Sequence, residues 1–331
     1  MVVGLKGRPM SRRDFITLIG GASAWPLVAS AEKSAIGKIG YVWSGYPGSD
    51  VAEAGLRQGL ADLGYVIGGN LMVEARYAEG KQDRIPALIS ELLALNVDVL
   101  VTPGTPISLA AQRATKTVPI VCMSGNPVGA GLVASLSHPG GNITGMSLLS
   151  GEYSGKWLEL LSQVAPKVHR IAVLWNADNP ALLLERDQLQ SAARVIGLEL
   201  KFLSVRAVEV ESSLAALVPA AADAFVVVDD ALLEPLVPRL IALAAERYLP
   251  ALYAFSTAVQ QGGLMSYSAN FFEMWRHLAR YIDRILKGER PADLPIEQAT
   301  AVTLAINLNT AKALGLTIPP TLLATADEVI E

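Results

Sequence analysis

Short apolar runs recur along this chain, and helical patterns fill the intervals between them. The runs fall at 39–43, 97–101, 119–123, 171–175, 224–228 and 251–253. Runs of that length, without polar alternation, read as strands buried on both faces. Between them, Asp50 caps a helix with Glu53 three residues on, and Gly64 ends it. Ile85, Leu88, Ile89 and Leu92 share one helical face. Thr105-Pro106 offers a side-chain cap and a first-turn proline. Phe271, Trp275, Leu278, Ile282 and Ile285 form a further stripe, closed by Gly288. Strand–helix alternation requires right-handed crossovers, so the expected class is α/β, an open parallel sheet with helices on both faces.

The pattern occurs twice. Lys38-Ile39-Gly40-Tyr41-Val42-Trp43-Ser44 matches Arg170-Ile171-Ala172-Val173-Leu174-Trp175-Asn176. Asp98-Val99-Leu100-Val101 matches Asp223-Ala224-Phe225-Val226, and Val118-Pro119-Ile120-Val121 matches Leu249-Pro250-Ala251-Leu252. Gly141-Asn142 before Ile143 echoes Gly262-Gly263 before Leu264. Four matches in one order predict two similar, doubly wound, Rossmann-like lobes, and 331 residues suffice for two domains of ~100–200 each. The expected division puts 36–146 and about 270–331 in lobe 1, and 147–269 in lobe 2. Open α/β sheets bind ligands beyond the carboxyl ends of their strands, so two facing lobes would share one interlobe cleft.

Residues 1–31 stand apart. Lys6, Arg8, Arg12 and Arg13 precede an apolar Gly/Ala-rich run from Phe15 to Val28, which ends in Ala29-Ser30-Ala31. That order is a basic region, an apolar region and a small-residue cleavage site. The pair in Ser11-Arg12-Arg13-Asp14-Phe15 has the form of a twin-arginine export signal. Met10 is an alternative start to Met1. Cleavage would remove four basic residues and one acidic residue, taking the net charge from −4 to −7. The expectation is a periplasmic protein exported with a cleaved signal.

Composition narrows the function. With 51% hydrophobic and 18% charged residues the chain can bury a core, and with no basic excess it has no affinity for nucleic acid to explain. One cysteine, Cys122, and three histidines, His138, His169 and His277, supply no thiolate zinc cluster and no histidine-rich metal site. The segment Gly151-Glu152-Tyr153-Ser154-Gly155-Lys156-Trp157 has the wrong spacing for a phosphate loop and lacks its hydroxyl. Gly125, Gly129 and Gly131 miss the dinucleotide spacing, and no nucleophile elbow is present. No catalytic residue, metal or cofactor is expected.

The strand ends are rich in binding groups instead. Candidate ligand contacts are Trp43, Ser44, Thr102, Gly104, Thr105, Asn126, Asn176, Asp230 and Tyr253. The helix opening at Thr105 would receive an anionic or carbonyl group. Asp230 would face a donor, and a tryptophan would stack on the flat part of the solute. Trp43 and Trp175 fit either the core or the cleft wall, and Asp229 or Asp230 fits either the cleft or a helix cap near Glu234-Pro235. Such a set suits capture of a small polar or aromatic solute.

Longer motifs carry a resemblance. Asn126-Pro127-Val128-Gly129-Ala130-Gly131-Leu132-Val133, Pro139-Gly140-Gly141-Asn142-Ile143-Thr144-Gly145 and Gly262-Gly263-Leu264-Met265-Ser266-Tyr267 are three of them. Ile306-Asn307-Leu308-Asn309-Thr310-Ala311-Lys312-Ala313-Leu314-Gly315-Leu316 and Ala326-Asp327-Glu328-Val329-Ile330-Glu331 complete the set. Over nearly its whole length the chain resembles the ABC-transporter substrate-binding proteins related to the tryptophan-binding TrpX type. Asn126 stands where members usually carry Asp, so an amide replaces a carboxylate there. The resemblance implies the type I periplasmic-binding-protein fold and delivery of a small-molecule solute to an ABC permease and its ATPase in the inner membrane. A monomer is expected. The competing readings are a Rossmann-like enzyme, which lacks a catalytic motif here, and an extracellular sensor domain. A repressor's sensor would need a DNA-binding helix pair in place of the leader.

Overall fold

A computed structural model describes residues 36–331, apart from 49–50, 149, 207–209, 219–220, 256 and 300–301. The leader and the Asp50 cap lie outside the described residues.

Lobe 1 is built on β1 (Gly37–Trp43), β2 (Leu71–Tyr77), β3 (Val99–Pro103), β4 (Ile120–Ser124) and β5 (Ile143–Ser147), all parallel, with β11 (Glu297–Gln298) added at the edge. Lobe 2 repeats the plan with β6 (Arg170–Asn176), β7 (Glu199–Val205), β8 (Ala224–Val227), β9 (Ala251–Tyr253) and β10 (Met265–Ala269). The orders are β11-β5-β4-β3-β1-β2 and β13-β12-β10-β9-β8-β6-β7. Both halves therefore share the 2-1-3-4-5 doubly wound order, whose strand order reverses beside the first strand.

The duplication extends to single hydrogen bonds. Asp98 accepts from the Lys38 amide at 2.7 Å, and Asp223 accepts from the Arg170 amide at 2.8 Å. The Leu100 amide donates to the Pro119 carbonyl at 2.8 Å, and the Phe225 amide to the Pro250 carbonyl at 3.0 Å. The aligned residues thus occupy the same positions in the two sheets.

The six expected strands are present within a few residues. Those not singled out have visible reasons. β2 and β7 are outer strands, half-exposed and carrying Glu74, Arg76, Glu199 and Lys201, so they do not read as apolar runs. One expectation is corrected. The expected division puts about 270–331 in lobe 1, but β12 (Val302–Asn307) pairs antiparallel with β10, and β13 (Glu328–Ile330) pairs with β12. Of the described strands after β10, the two-residue β11 joins the lobe 1 sheet, beside β5, where the helix Phe271–Leu286 also packs. A strand's sheet is set by its partners, which local sequence does not name.

The helices follow from the packing. In β1, period two sends Ile39, Tyr41 and Trp43 to one face and Val42 to the other. The first face is covered by α1 (Val51–Asp62) and by α9 (Phe271–Leu286) through Leu56, Leu60, Trp275, Leu278 and Ile282. The second is covered by α2 (Ile85–Ala94) and α3 (Thr105–Ala114). α4 (Ser150–Val164) follows β5 but packs in lobe 2, where the Trp157 indole donates to the Tyr267 carbonyl at 2.7 Å. α5 (Leu182–Ile196), α6 (Val210–Ala215), α7 (Val237–Arg247), the single turn α8 (Thr257–Gln260), α10 (Leu308–Ala313) and α11 (Pro320–Leu323) complete lobe 2. The chain leaves lobe 1 after β5, returns to it between β10 and α9, and leaves it again between β11 and β12. Among the described residues no helix is long and apolar enough to cross a membrane.

Candidate functional site

The carboxyl ends of β1, β3 and β4 in lobe 1 face the loops after β6 and β8 in lobe 2. Between them lies a cavity of about 50 Å³, lined among others by Trp43, Gly104, Thr105, Asp229, Asp230 and Phe271. That is room for a few water molecules, so the lobes are nearly closed on one another. Ser44 closes them directly: its hydroxyl donates to the Ala231 carbonyl across the gap at 2.7 Å. Beside it, Gly104 (φ 87°) lets the β3–α3 turn approach Ala231, whose Cβ would lie 3.2 Å from a side chain at Gly104.

On the lobe 1 wall, α3 begins at Thr105 with Gly104 as N-cap and no side-chain cap. The expected hydroxyl cap is absent because Gly104 holds the cap position; Thr105 is the first helical residue, and its Oγ1 lies 2.7 Å from Ser124 Oγ. The uncapped first turn meets the cavity at Gly104 and Thr105, and a helix N-terminus favours a carboxylate or carbonyl oxygen. Trp43 and Trp275 are buried and line the same space, with Phe271 at the start of α9.

On the lobe 2 wall the acid groups dominate. Both Asp230 oxygens are occupied: Oδ1 accepts from Asn176 Nδ2 at 3.1 Å and from the Leu232 amide at 2.8 Å, and Oδ2 accepts from Asn179 Nδ2 at 2.7 Å. Burial raises the Asp230 carboxyl, and these three donors oppose the rise. Asp229, half-buried and lining the cavity, is raised well above the ordinary carboxylate range, first by burial and then by the charges of Glu185 and Asp230. A cationic group in the cavity would offset that cost by restoring the charged form.

The expected residues divide accordingly. Trp43, Gly104, Thr105 and Asp230 line the cavity, and Ser44 bridges its rim. Asn176 sits behind Asp230 and holds it. Thr102 is fully buried, 2.8 Å from Ser108 Oγ, and does not reach the cavity. Asn126 turns away: its Oδ1 accepts from the Gly129 amide at 2.8 Å and shapes the loop after β4. Tyr253 is also corrected. It stands edge-on to Phe225 at 6.1 Å, wholly buried, and borders a different cavity between α7 and α10. Ending a strand does not decide on which sheet face a side chain lies. Trp175, one of the two ambiguous tryptophans, packs edge-on to Phe202 at 6.2 Å with the Arg186 guanidinium 5.5 Å from its ring centre. Missed from the sequence were Asn179, Phe271 and Trp275. Asn179-Pro180 before α5 was a legible helix opening, and its Oδ1 accepts from the Ala181 amide at 3.0 Å. Phe271 and Trp275 looked like ordinary members of an apolar helical stripe.

Among the described residues no His, Cys, Asp and Glu group is arranged to hold a metal ion. Cys122 is buried in β4, its thiol pushed up to about 12 by burial, so it is a packing residue and not a nucleophile.

Two doubly wound lobes meeting over one cleft define a type I periplasmic-binding-protein fold. The chain belongs to the ABC transporter substrate-binding protein family, whose family model matches residues 42–330. It is 28% identical over 275 residues to a tyrosine-binding protein of Clostridioides difficile, covering 82% of this chain and 78% of that one. Among solved structures it is similar to a conserved domain protein of Vibrio cholerae, with 29% identity, TM-score 0.83, and 89% and 99% of the two chains covered. It is likewise similar to an ABC domain of Streptococcus pneumonia in complex with L-Trp, with 26% identity, TM-score 0.80, and 88% and 100% covered. The ligand-free, open structure of a substrate-binding protein with adhesive properties from Clostridium difficile is 27% identical, covering 89% and 99%, but superposes at 0.61.

Proposed function

We propose that this protein captures an aromatic amino acid, or a close analogue, in its interlobe cleft and delivers it to the permease of an ABC importer. The observation that carries the reading is the pairing of opposite polarities across one cavity. The α3 N-terminus suits a carboxylate, Asp229 suits an ammonium group, and Trp43, Phe271 and Trp275 border the space between. Two relatives bind tyrosine and tryptophan by their descriptions, which supports the same ligand class here. The loss of acid at Asn126 does not weigh against this, because Asn126 lies outside the cavity. The test is calorimetry and thermal shift of the chain without its leader against L-Trp, L-Tyr, L-Phe and non-aromatic controls. An aromatic ligand at 100 times its dissociation constant should stabilise by ~2.7 kcal/mol. Binding of sugars or aliphatic acids in its place, with no response to the aromatic set, would overturn the reading.

Residues 1–31 act in this reading as a twin-arginine signal, cleaved to leave a mature periplasmic start near Glu32. Mass spectrometry of the exported protein should find that start. Replacing Arg12 and Arg13 together by Lys should abolish export, and unchanged export would refute the twin-arginine route.

A further inference from the structure

The interlobe cavity carries acids and no bases. Three carboxyl groups border it, those of Asp229, Asp230 and Glu234, and among the described residues that line it there is no lysine, arginine or histidine. Two further acids stand behind the lobe 2 wall. The charge of Glu185, itself 2% exposed, raises the Asp229 carboxyl, and the charge of Asp178 raises that of Asp230. Two arginines of the same lobe are engaged elsewhere: Arg206 lies 3.6 Å from Asp178, Arg186 pairs with Asp187 at 3.0 Å, and neither lines the cavity. The three donors to Asp230 are neutral amides, which stabilise its charge without cancelling it. Facing the acids from lobe 1 is the α3 N-terminus, equivalent to about half a positive charge. A free amino acid brings one ammonium group and one carboxylate, so it leaves the excess of negative charge unchanged and adds another anion to a nearly closed space. A solute of the same shape with a neutral carbonyl group brings the ammonium group alone. Buried charge without a partner is costly, and a helix N-terminus accepts a neutral carbonyl oxygen too.

We propose that the cleft selects its solute by charge, and that the solute it holds best is a monocation: an aromatic amino acid whose carboxyl group is neutralised as an amide or ester. The ammonium group faces Asp229, the carbonyl oxygen lies at the α3 N-terminus, and the ring lies beside Phe271 and Trp275. This rests on the reading of the cleft as an aromatic amino-acid site and adds the net charge of the ligand.

The test is calorimetry of the chain without its leader against L-Trp and L-Phe, each beside its amide, and against N-acetyl-L-tryptophanamide. It is run at about pH 6.5, where an α-amino group with a pKa of ~7.7–8.0 is charged. Each amide should bind about tenfold more tightly than its parent acid. The acetylated amide keeps the ring and the carbonyl but has no cation, and it should bind far more weakly than L-tryptophanamide. Asp229→Asn and Glu234→Gln each remove one negative charge from the wall, and each should lower the ratio of amide to acid affinity severalfold. Should a variant fail to fold, added salt takes its place, because screening should shrink the ratio in the unaltered protein. If L-Trp or L-Phe binds as tightly as its amide, charge selection is refuted and the amino-acid cleft stands. A preference for the amide that survives both variants and added salt is not electrostatic and also overturns the proposal, as does equal binding of the acetylated amide. If neither acids nor amides bind, both readings fall.

Discussion

At the scale of residues, two adjacent acids do different work. Asp230 is held by Asn176, Asn179 and the Leu232 amide, so it organises the loop after β8, while Asp229 beside it stands half-buried at the cavity wall. Removing the charge at Asp229 should therefore act on the ligand's cation alone. Asp229→Asn should weaken aromatic amino-acid binding by ~2–3 kcal/mol, since charged hydrogen bonds are worth about that much, with little change in Tm. Asp230→Asn should lower Tm as well, because it disturbs three buried bonds. Calorimetry and thermal melts of the two variants separate the roles, and equal effects of both on binding and Tm would contradict the division. The raised Asp229 carboxyl also sets a pH dependence. Binding a cation needs its charged form, so affinity should fall on acidification, starting above pH ~4 where an ordinary carboxylate is still ionised. In Asp229→Asn that fall should disappear.

At the scale of elements, lobe 1 depends on one close helix pair. α1 presents Gly55 and Gly59 to α9, and a Cβ at either would run into the carbonyl oxygens of Phe272 and Arg276. The approach is reinforced at the rim by Arg276 and Asp62, 2.5 Å apart, and beneath by Leu56, Leu60, Leu278 and Ile282. Gly59→Ala gains up to ~1 kcal/mol of helix propensity but overpacks the contact by ~1–3 kcal/mol. The net effect should be a Tm lowered by a few degrees, seen in thermal melts, whereas the same change at Gly64, with open space around it but φ 86°, should act through backbone strain alone. Because α9 also contributes Phe271 and Trp275 to the cavity wall, Gly59→Ala should weaken ligand binding at a distance.

At the scale of the whole molecule, the lobes are linked by three chain passages and meet directly at the cleft rim. The Ser44–Ala231 hydrogen bond joins the loops that must separate for a ligand to reach the cavity. The higher TM-score to the L-Trp complex than to the open ligand-free relative, at nearly equal identity, fits a closed arrangement of the lobes. Ser44→Ala removes about 1 kcal/mol of closure, or roughly fivefold in the closed–open equilibrium. Small-angle scattering should then show a larger radius of gyration without ligand, and affinity should drop by a similar factor. An unchanged radius and affinity would show that the bond contributes nothing to closure.

The amino-acid order alone determined the class of fold and its duplication. Strand cores are apolar runs, and the paired Asp98 and Asp223 mark the same register in each half, so local pattern was enough. It also determined that binding groups gather at strand ends, because open α/β sheets leave only those ends free. Tertiary structure alone decided which of those groups share a space. Tyr253 and Trp175 end strands as Trp43 does, yet the first faces another cavity and the second packs against Phe202 and Arg186. The last thirty residues entered lobe 2 because β12 found its partner in β10. Asn179, Phe271 and Trp275 reached the cleft from segments far apart in the chain. Strand pairing, sheet face and lobe closure depend on contacts between distant residues, and these form only when the chain has folded back on itself.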